Sequence, residues 1–279
     1  MVKVAIVGLG LMGGSLGLCL KENKFISCVL GYDIDKENAN LALKLGLIHE
    51  LMSEFNPQEL ANCDIVVLAT PVDAIVSLVK ELENLPQSTT LIELGSTKTK
   101  IVKATPKALK PHIIYSHPMC GTENSGASAA FKELYSGAVC VLCDSETADD
   151  THQKRAVEIF SHLGMKIVFM DSTSHDHHAA IISHLPHAIS FALANFVMKE
   201  EDKKDIVHLA GGSFRGMSRI AKSSPAMWES IFTQNKSNLI SSIEHFQKEL
   251  EFCKQMIANN DENALKSWMS KANTLREIL

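Results

Sequence analysis

A strand-like run, Val2 to Val7, passes without a break into Gly8-Leu9-Gly10-Leu11-Met12-Gly13, and a helical pattern takes over from Met12 to Lys21. Glycines at this spacing between a strand and a helix leave little choice of fold. Gly8 makes the tight turn, Gly10 lets a pyrophosphate approach the backbone, and Gly13 lets the helix pack on the strand. Free N–H groups at the helix start then face the phosphates, so Gly8, Leu9, Gly10, Leu11, Met12 and Gly13 form the expected dinucleotide contact. The second strand-like run ends at Gly31-Tyr32-Asp33. Asp33 falls about 20 residues beyond Gly13, where a carboxylate accepts from ribose hydroxyls and repels a 2′-phosphate. NAD is therefore expected rather than NADP, with Asp35 the weaker candidate.

Short apolar runs alternate with helical patterns through the first part of the chain. Strands are expected at Val2 to Val7, Cys28 to Tyr32, Ile65 to Ala69, Thr90 to Leu94, Ile113 to Tyr115, Ala138 to Cys143 and Lys166 to Met170. Helices are expected between them, among them Lys36 to Leu45 and Val72 to Leu82. This predicts an α/β, doubly wound (Rossmann-type) parallel sheet over residues 1–171. After Asp171 the strands stop. Apolar spacings of three and four mark His175 to Lys199, Lys204 to Leu209, Met217 to Lys222, Pro225 to Ile257 and Glu262 to Leu279. Residues 172–279 are therefore expected to form an all-helical domain, with dimerisation through its long apolar helices and, by the resemblance given below, substrate binding.

Bulk properties exclude several classes of function. A formal charge of −5 over 279 residues and a pI near 6.2 provide no broad basic field, so no nucleic-acid partner is expected. Seven cysteines scattered through the chain fit reduced thiols, and Cys140 and Cys143 face opposite ways if they share a strand. The apolar start at Met1 leaves no room for a signal peptide, so the expected location is cytoplasmic. Ala179 to Met198 approaches membrane-spanning length. It carries His184, Pro186 and His187, however, and reads as a buried helix at a subunit or domain interface rather than a membrane span. His175, His177, His178, His184 and His187 crowd one region. Asp176 is the nearest carboxylate and no thiol is close, so no metal is expected.

Ligands of doubly wound sheets lie outside the carboxyl ends of the strands. Ala69-Thr70-Pro71-Val72-Asp73, Gly95-Ser96, His117-Pro118 and Gly121-Thr122-Glu123 all arrive at that edge, with Ala69, Thr70 and Pro71 assigned to the cofactor. Oxidising a carbinol by hydride loss needs a base within reach of the hydroxyl. His117 is the first candidate, because a histidine titrates near neutral pH and Pro118 stiffens the chain after it. Ser96 can donate to, or accept from, the same hydroxyl.

The set Gly8-Leu9-Gly10-Leu11-Met12-Gly13, Gly95-Ser96-Thr97-Lys98, His117-Pro118-Met119-Cys120-Gly121-Thr122-Glu123, Ile182-Ser183-His184-Leu185-Pro186-His187 and Phe214-Arg215-Gly216-Met217-Ser218-Arg219-Ile220-Ala221 resembles the prephenate/arogenate dehydrogenase family in order and spacing. The resemblance runs from the first strand to about Asn235 and continues to the C-terminus. It implies oxidative decarboxylation of prephenate to 4-hydroxyphenylpyruvate on the route to tyrosine. The histidine matching His117 takes the proton from the ring hydroxyl as hydride leaves the same carbon for NAD, and the serine matching Ser96 holds that hydroxyl and the histidine. Loss of carbon dioxide then aromatises the ring. The family's substrate-binding arginine falls on Arg219, which the residues alone do not separate from Arg215. His187, Thr122, Glu123 and Trp228 match residues around the substrate pocket, and the resemblance implies a homodimer through the helical domain.

Cys120 stands where the family usually has alanine, Glu93 where aspartate commonly precedes the Gly-Ser turn, and Gly216 where many members have aspartate. The last departure puts an acidic partner for Arg219 in doubt, and Cys120 is expected to be a packed, inert thiol, with oxidation-sensitive activity as the lesser alternative. Arogenate, with an amine in place of the keto group, is the alternative substrate. No chorismate mutase segment is expected before Met1, and no regulatory domain after Leu279. β-Hydroxyacid dehydrogenases share the glycine-rich opening but rely on a lysine that Gly211-Gly212-Ser213 does not lead to. A non-catalytic NAD-sensing protein would keep Gly8, Gly10, Gly13 and Asp33 without needing Ser96, His117 and Arg219 together.

Overall fold

The computed structural model describes residues 1–278, so Leu279, the last residue of the final expected helix, lies outside the described residues. Eight strands form one sheet in the order β3-β2-β1-β4-β5-β6-β7-β8. They are β1 (Val2–Val7), β2 (Ile26–Tyr32), β3 (Glu50–Leu51), β4 (Ile65–Leu68), β5 (Thr90–Glu93), β6 (Ile113–Pro118), β7 (Val139–Cys143) and β8 (Lys166–Met170). The order reverses at β1, with β2 on one side and β4 on the other, which opens a crevice at the carboxyl ends of those strands. β4 is buried along its whole length, as a parallel strand covered on both faces must be.

The helices α1 (Leu11–Lys21), α2 (Lys36–Lys44), α3 (Pro57–Leu60), α4 (Val72–Glu81), α5 (Thr99–Ala104) and α6 (Asp150–His162) connect the strands. Two cores result. Ile6, Val67, Ile92 and Phe160 belong to one, and Val66, Ile75, Leu91 and Tyr115 to the other. Alternate residues of a strand enter different cores because successive side chains point to opposite faces. Cys140 and Cys143 accordingly lie in different cores, too far apart in orientation to share a ligand.

The sheet departs from the expected one in three places, the first being the two-residue β3 at its edge, which the apolar pattern does not predict. β7 runs antiparallel to β6, pairing Tyr115 with Cys143 and Pro118 with Cys140, so the sheet is mixed. That pairing also carries β6 on to Pro118, where a sequence reading stops at Tyr115. Proline lacks an N–H to donate, so a pattern read from the sequence stops before it.

Beyond Asp171 the chain is helical. α7 (Ser172–Ala179) passes through a π-helical turn, Ala180–His184, into α8 (Leu185–Glu200). The sequence pattern predicts one uninterrupted helix here. Pro186 has no N–H for the carbonyl one turn back, and the wider turn just before it absorbs the defect. α9 (Lys203–Leu209), α10 (Gly212–Ser218) and α11 (Pro225–Gln234) follow. Asn235 then separates α11 from α12 (Lys236–Ala258), where the pattern predicts a single helix. α13 (Glu262–Asn273) is the last α-helix.

By packing, the chain divides into Met1–Asn235 and the segment from Lys236 onward. Within the first unit, α7 packs against β7 and α5, and α11 against α4: Trp228 and Ile231 bury with Val72, and Thr97 Oγ1 donates to Gln234 Oε1 at 2.7 Å. Secondary structure changes at Asp171–Ser172, but compactness does not. Within the second unit, α12 and α13 pack together and Trp268 Nε1 donates to Glu249 Oε2.

The stretch Ser172–Glu200 is long and apolar enough to cross a membrane by length and composition, but it carries the buried polar residues His175, Asp176 and His184. Only 11% of its most apolar window is buried within the single chain, where the expectation is burial at a subunit or domain interface. Ile182, Phe196 and Met198 remain exposed in the single chain.

Candidate active site

The glycine turn is built as its spacing requires. Gly8 has φ +94°, and a Cβ there would sit 2.6 Å from the Ala69 carbonyl oxygen. A Cβ on Gly13 would fall 1.8 Å from the Gly8 oxygen, so α1 lies against the turn more closely than any side chain allows. Gly10 differs, since its nearest neighbour is Gly126 N at 4.0 Å, which leaves open space beside the backbone. α1 starts at Gly10 with no side-chain cap, so its first N–H groups are available to an anion. Leu9 is buried, while Leu11 and Met12 pack partly against the same core.

Asp33 stands at the end of β2, tied to the glycine turn. Its Oδ2 accepts from Leu9 N–H and Asn38 Nδ2, each at 2.8 Å, and its Oδ1 from Asp35 N–H at 3.0 Å. A carboxylate offers about four lone-pair sites, so capacity remains for a ribose hydroxyl. Across the switch point, Ala69, Thr70 and Pro71 lead from β4 into α4, and the Thr70 hydroxyl is buried without a partner among the described residues. A buried orphan hydroxyl beside an open glycine turn suits a polar ligand. These features fit a bound dinucleotide.

His117 occupies the penultimate position of β6 and is 9% exposed. Its Nδ1 lies 2.8 Å from His175 Nε2, and His175 Nδ1 lies 2.9 Å from Asp176 Oδ1. Asp176 Oδ1 also accepts from Lys98 N–H at 2.8 Å, and Oδ2 from Thr99 N–H at 2.9 Å. Burial pushes the His117 imidazole well below its usual range, and the neighbouring His175, Lys98 and His184 push it the same way. Burial would raise Asp176, but the hydrogen bonds from His175, Thr99 and Lys98 outweigh it and hold the carboxyl below the usual range.

Lys98 is fully buried, pairs with Glu93 and donates to the Ser116 carbonyl. Burial raises Glu93 against the pull of Lys98, while its Oε2 accepts from Gly95 N–H at 2.8 Å and shapes the turn to Ser96. The longer glutamate at this family-variant position thus reaches both the turn and the lysine. Ser96 is half-buried on that turn, and its hydroxyl has no hydrogen-bond partner among the described residues. His117 Nδ1 is thus bonded to His175, and no bond between His117 and Ser96 is present among the described residues.

The helices bring further groups to this edge. Arg219 Nη1 bonds to Glu123 Oε2 at 2.9 Å, in an exposed pair that provides the acidic partner Gly216 cannot. Arg215 turns back to the Ala210 carbonyl. His187 stacks on Trp228 with centroids 3.5 Å apart, its Nδ1 on the Ser183 carbonyl, so Nε2 is left for other contacts. His184 meets Trp228 edge-on, and burial pushes it down to about 4. Thr122, on the exposed loop after β6, accepts from Asn124 N–H. Cys120 packs partly against the sheet core, and burial pushes its thiol up to about 12, so it is a protonated, inert thiol at neutral pH.

Sequence reasoning missed His175, Asp176, Lys98 and Asn38. His175 and Asp176 were visible only as members of a histidine-rich stretch, which spacing alone presents as a metal question. No cluster of three or more metal-ligating side chains occurs among the described residues.

Comparison with known proteins converges with this geometry. The family profile "Prephenate dehydrogenase, nucleotide-binding domain" matches residues 16–169, and "Prephenate dehydrogenase, dimerization domain" matches residues 171–271. The prephenate dehydrogenase of Bacillus subtilis (strain 168) is 30% identical over 283 residues, covering 99% of this chain and 76% of that protein. The crystal structure of the A. aeolicus prephenate dehydrogenase in complex with hydroxyphenyl propionate and NAD+ superposes with a TM-score of 0.91 at 32% identity, covering 99% of this chain and 98% of that one. Synechocystis arogenate dehydrogenase follows at a TM-score of 0.80 and 26% identity, with 99% of each chain covered. With a glycine turn shaped for a dinucleotide, a buried histidine on the same sheet edge and matches along nearly its whole length, the chain belongs to the prephenate dehydrogenase family.

Proposed function

We propose that the protein oxidises and decarboxylates prephenate to 4-hydroxyphenylpyruvate, in tyrosine biosynthesis, with NAD as hydride acceptor. The observation that carries this reading is His117: neutral, buried, bonded through Nδ1, and set on the same sheet edge as the glycine turn. Residues Gly8 to Gly13 with Asp33 and Ala69 to Pro71 would hold NAD, which supplies the hydride acceptor when bound. His117 Nε2 receives the ring hydroxyl proton, and Ser96, whose hydroxyl is uncommitted, steadies that oxygen. Neutral His117 suits a base, because a cationic imidazole has no lone pair to offer.

Prephenate carries two carboxylates, and Arg219 has the planar fork that grips one of them. Glu123 holds that fork in the meantime, so substrate exchanges one carboxylate for another. His187, Trp228 and Thr122 line the remaining approach. We divide the work between residues 1–171, for the nucleotide, and residues 172–279, for substrate and dimerisation. A homodimer through the helical domain is supported by the profile description over residues 171–271 and by the apolar residues that one chain leaves exposed on α8 and α12. A cytoplasmic location fits a biosynthetic enzyme with seven free cysteines.

The test is NADH formation from purified protein with NAD and prephenate; none formed ends this reading. The same assay with arogenate measures the second reading, which the similarity to Synechocystis arogenate dehydrogenase keeps in view. The ratio of kcat/KM for the two substrates decides between them.

A further inference from the structure

We propose that His175 and Asp176 are positioning residues that hold His117 in its Nδ1–H tautomer, with Nε2 bare toward the substrate, and that His175 takes over the proton's charge as His117 is protonated. The inference rests on the reading of His117 as the base and names two residues behind it.

The direction of the hydrogen bonds follows from Asp176. Its carboxylate accepts from His175 Nδ1 and two backbone N–H groups, so His175 carries its proton on Nδ1. Neutral His175 then has a lone pair on Nε2. At 2.8 Å from His117 Nδ1, two lone pairs would repel and two protons would clash, so one proton lies between the rings, and it belongs to His117 Nδ1. The remaining lone pair of His117 is on Nε2. Both rings are buried and both are pushed toward the neutral form, which keeps His175 an acceptor at neutral pH.

The same chain disposes of charge. As the substrate O–H proton moves to His117 Nε2, the Nδ1 proton can pass to His175 Nε2. The cation then resides on His175, hydrogen-bonded to Asp176, instead of on a buried ring without a counter-ion. Proton count is conserved: one bond to nitrogen forms and one shifts along the chain. The other charged or titratable groups facing the pair are Lys98 and His184 on the His117 side and Lys98 and His178 on the His175 side, and Glu93 reaches Asp176 through Lys98. All of the histidines and Lys98 disfavour a cation here, which leaves Asp176 as the group that favours one.

The test uses ¹⁵N-histidine NMR of the protein with NAD and no substrate, at pH 7.5, with the His117 signals assigned by their loss in His117→Asn. The expected result is a protonated Nδ1 and an unprotonated Nε2 on His117. In Asp176→Asn that preference is lost, kcat falls by about 100-fold or more while KM for prephenate stays within about threefold, and the acid limb of kcat/KM moves to lower pH, because the cation has lost its carboxylate. Should Asp176→Asn fail to fold, His175→Phe keeps an aromatic ring in place while removing both the Nε2 acceptor and the Nδ1–H donor to Asp176, and the tautomer preference is again expected to vanish. An Nε2–H tautomer in the unaltered protein, or variants with unchanged tautomer and pH profile, would overturn the proposal. Lack of turnover with prephenate would instead strike the functional reading, since the tautomer is read without substrate.

Discussion

His117 is 9% exposed, bonded through Nδ1, and shifted by burial toward the neutral form. Because its pKa is lowered, the base form persists below pH 6.5, and the acid limb of kcat/KM is expected below that value. His117→Asn keeps the volume and loses the base, so turnover should drop by about 10² to 10⁴-fold with NAD affinity unchanged by titration. Unchanged turnover would remove His117 from its role. Arg219 gives a gentler effect. Its pair with Glu123 is exposed, and exposed pairs are weak. Glu123→Gln should therefore lower KM for prephenate by no more than about fivefold at low salt, with the gain shrinking as salt is added, in steady-state kinetics. Arg219 was placed by family resemblance, whereas its partner came from the loop after β6, 96 residues away in sequence.

Elements differ in how much of them a local pattern records. β1, the glycine turn and α1 were legible at once, because every constraint on them lies within some twenty residues. Gly13→Ala probes that unit: its Cβ would enter the Gly8 carbonyl, so α1 must shift, costing about 1–3 kcal/mol and weakening NAD binding together. Denaturant unfolding and NAD titration on one sample read both losses, and an unchanged NAD affinity would mean that α1 does not set the phosphate site. β6 was read too short because Ser116 to Pro118 are strand only through pairing with β7. The π turn before Pro186 and the break at Asn235 escaped notice for a similar reason, since apolar spacing runs smoothly through both.

At the level of the whole molecule, one chain leaves Phe196 and Met198 on α8 and Leu250, Phe252 and Ile257 on α12 exposed. Scattered apolar residues on a surface are ordinary, but on helices matched by a dimerisation profile they predict association. Light scattering at micromolar concentration should give twice the mass of 30.6 kDa, and a monomer would refute it. Stability should also respond to acid. His184 titrates near 4 in the folded chain against about 6.5 when unfolded, so between those values the unfolded state binds more protons. His117 and His175 are shifted in the same direction. Stability is therefore expected to fall as pH drops from about 6.5 toward 4, checked by Tm across that range; a flat profile would contradict the burial of these rings.

The sequence by itself determined the strand-turn-helix nucleotide end, the change from sheet to helices at Asp171, and His117 as the candidate base. Each depends on residues close together in the chain, where periodicity and backbone sterics leave a readable trace. Only the tertiary structure decided that His117 Nδ1 bonds to His175, that Asp176 anchors both to the N-terminal end of α5, and that Glu93 and Lys98 neutralise one another beneath them. Those contacts join residues up to 78 positions apart. Hydrogen-bond direction and burial depend on distance in space, which a one-dimensional pattern does not carry.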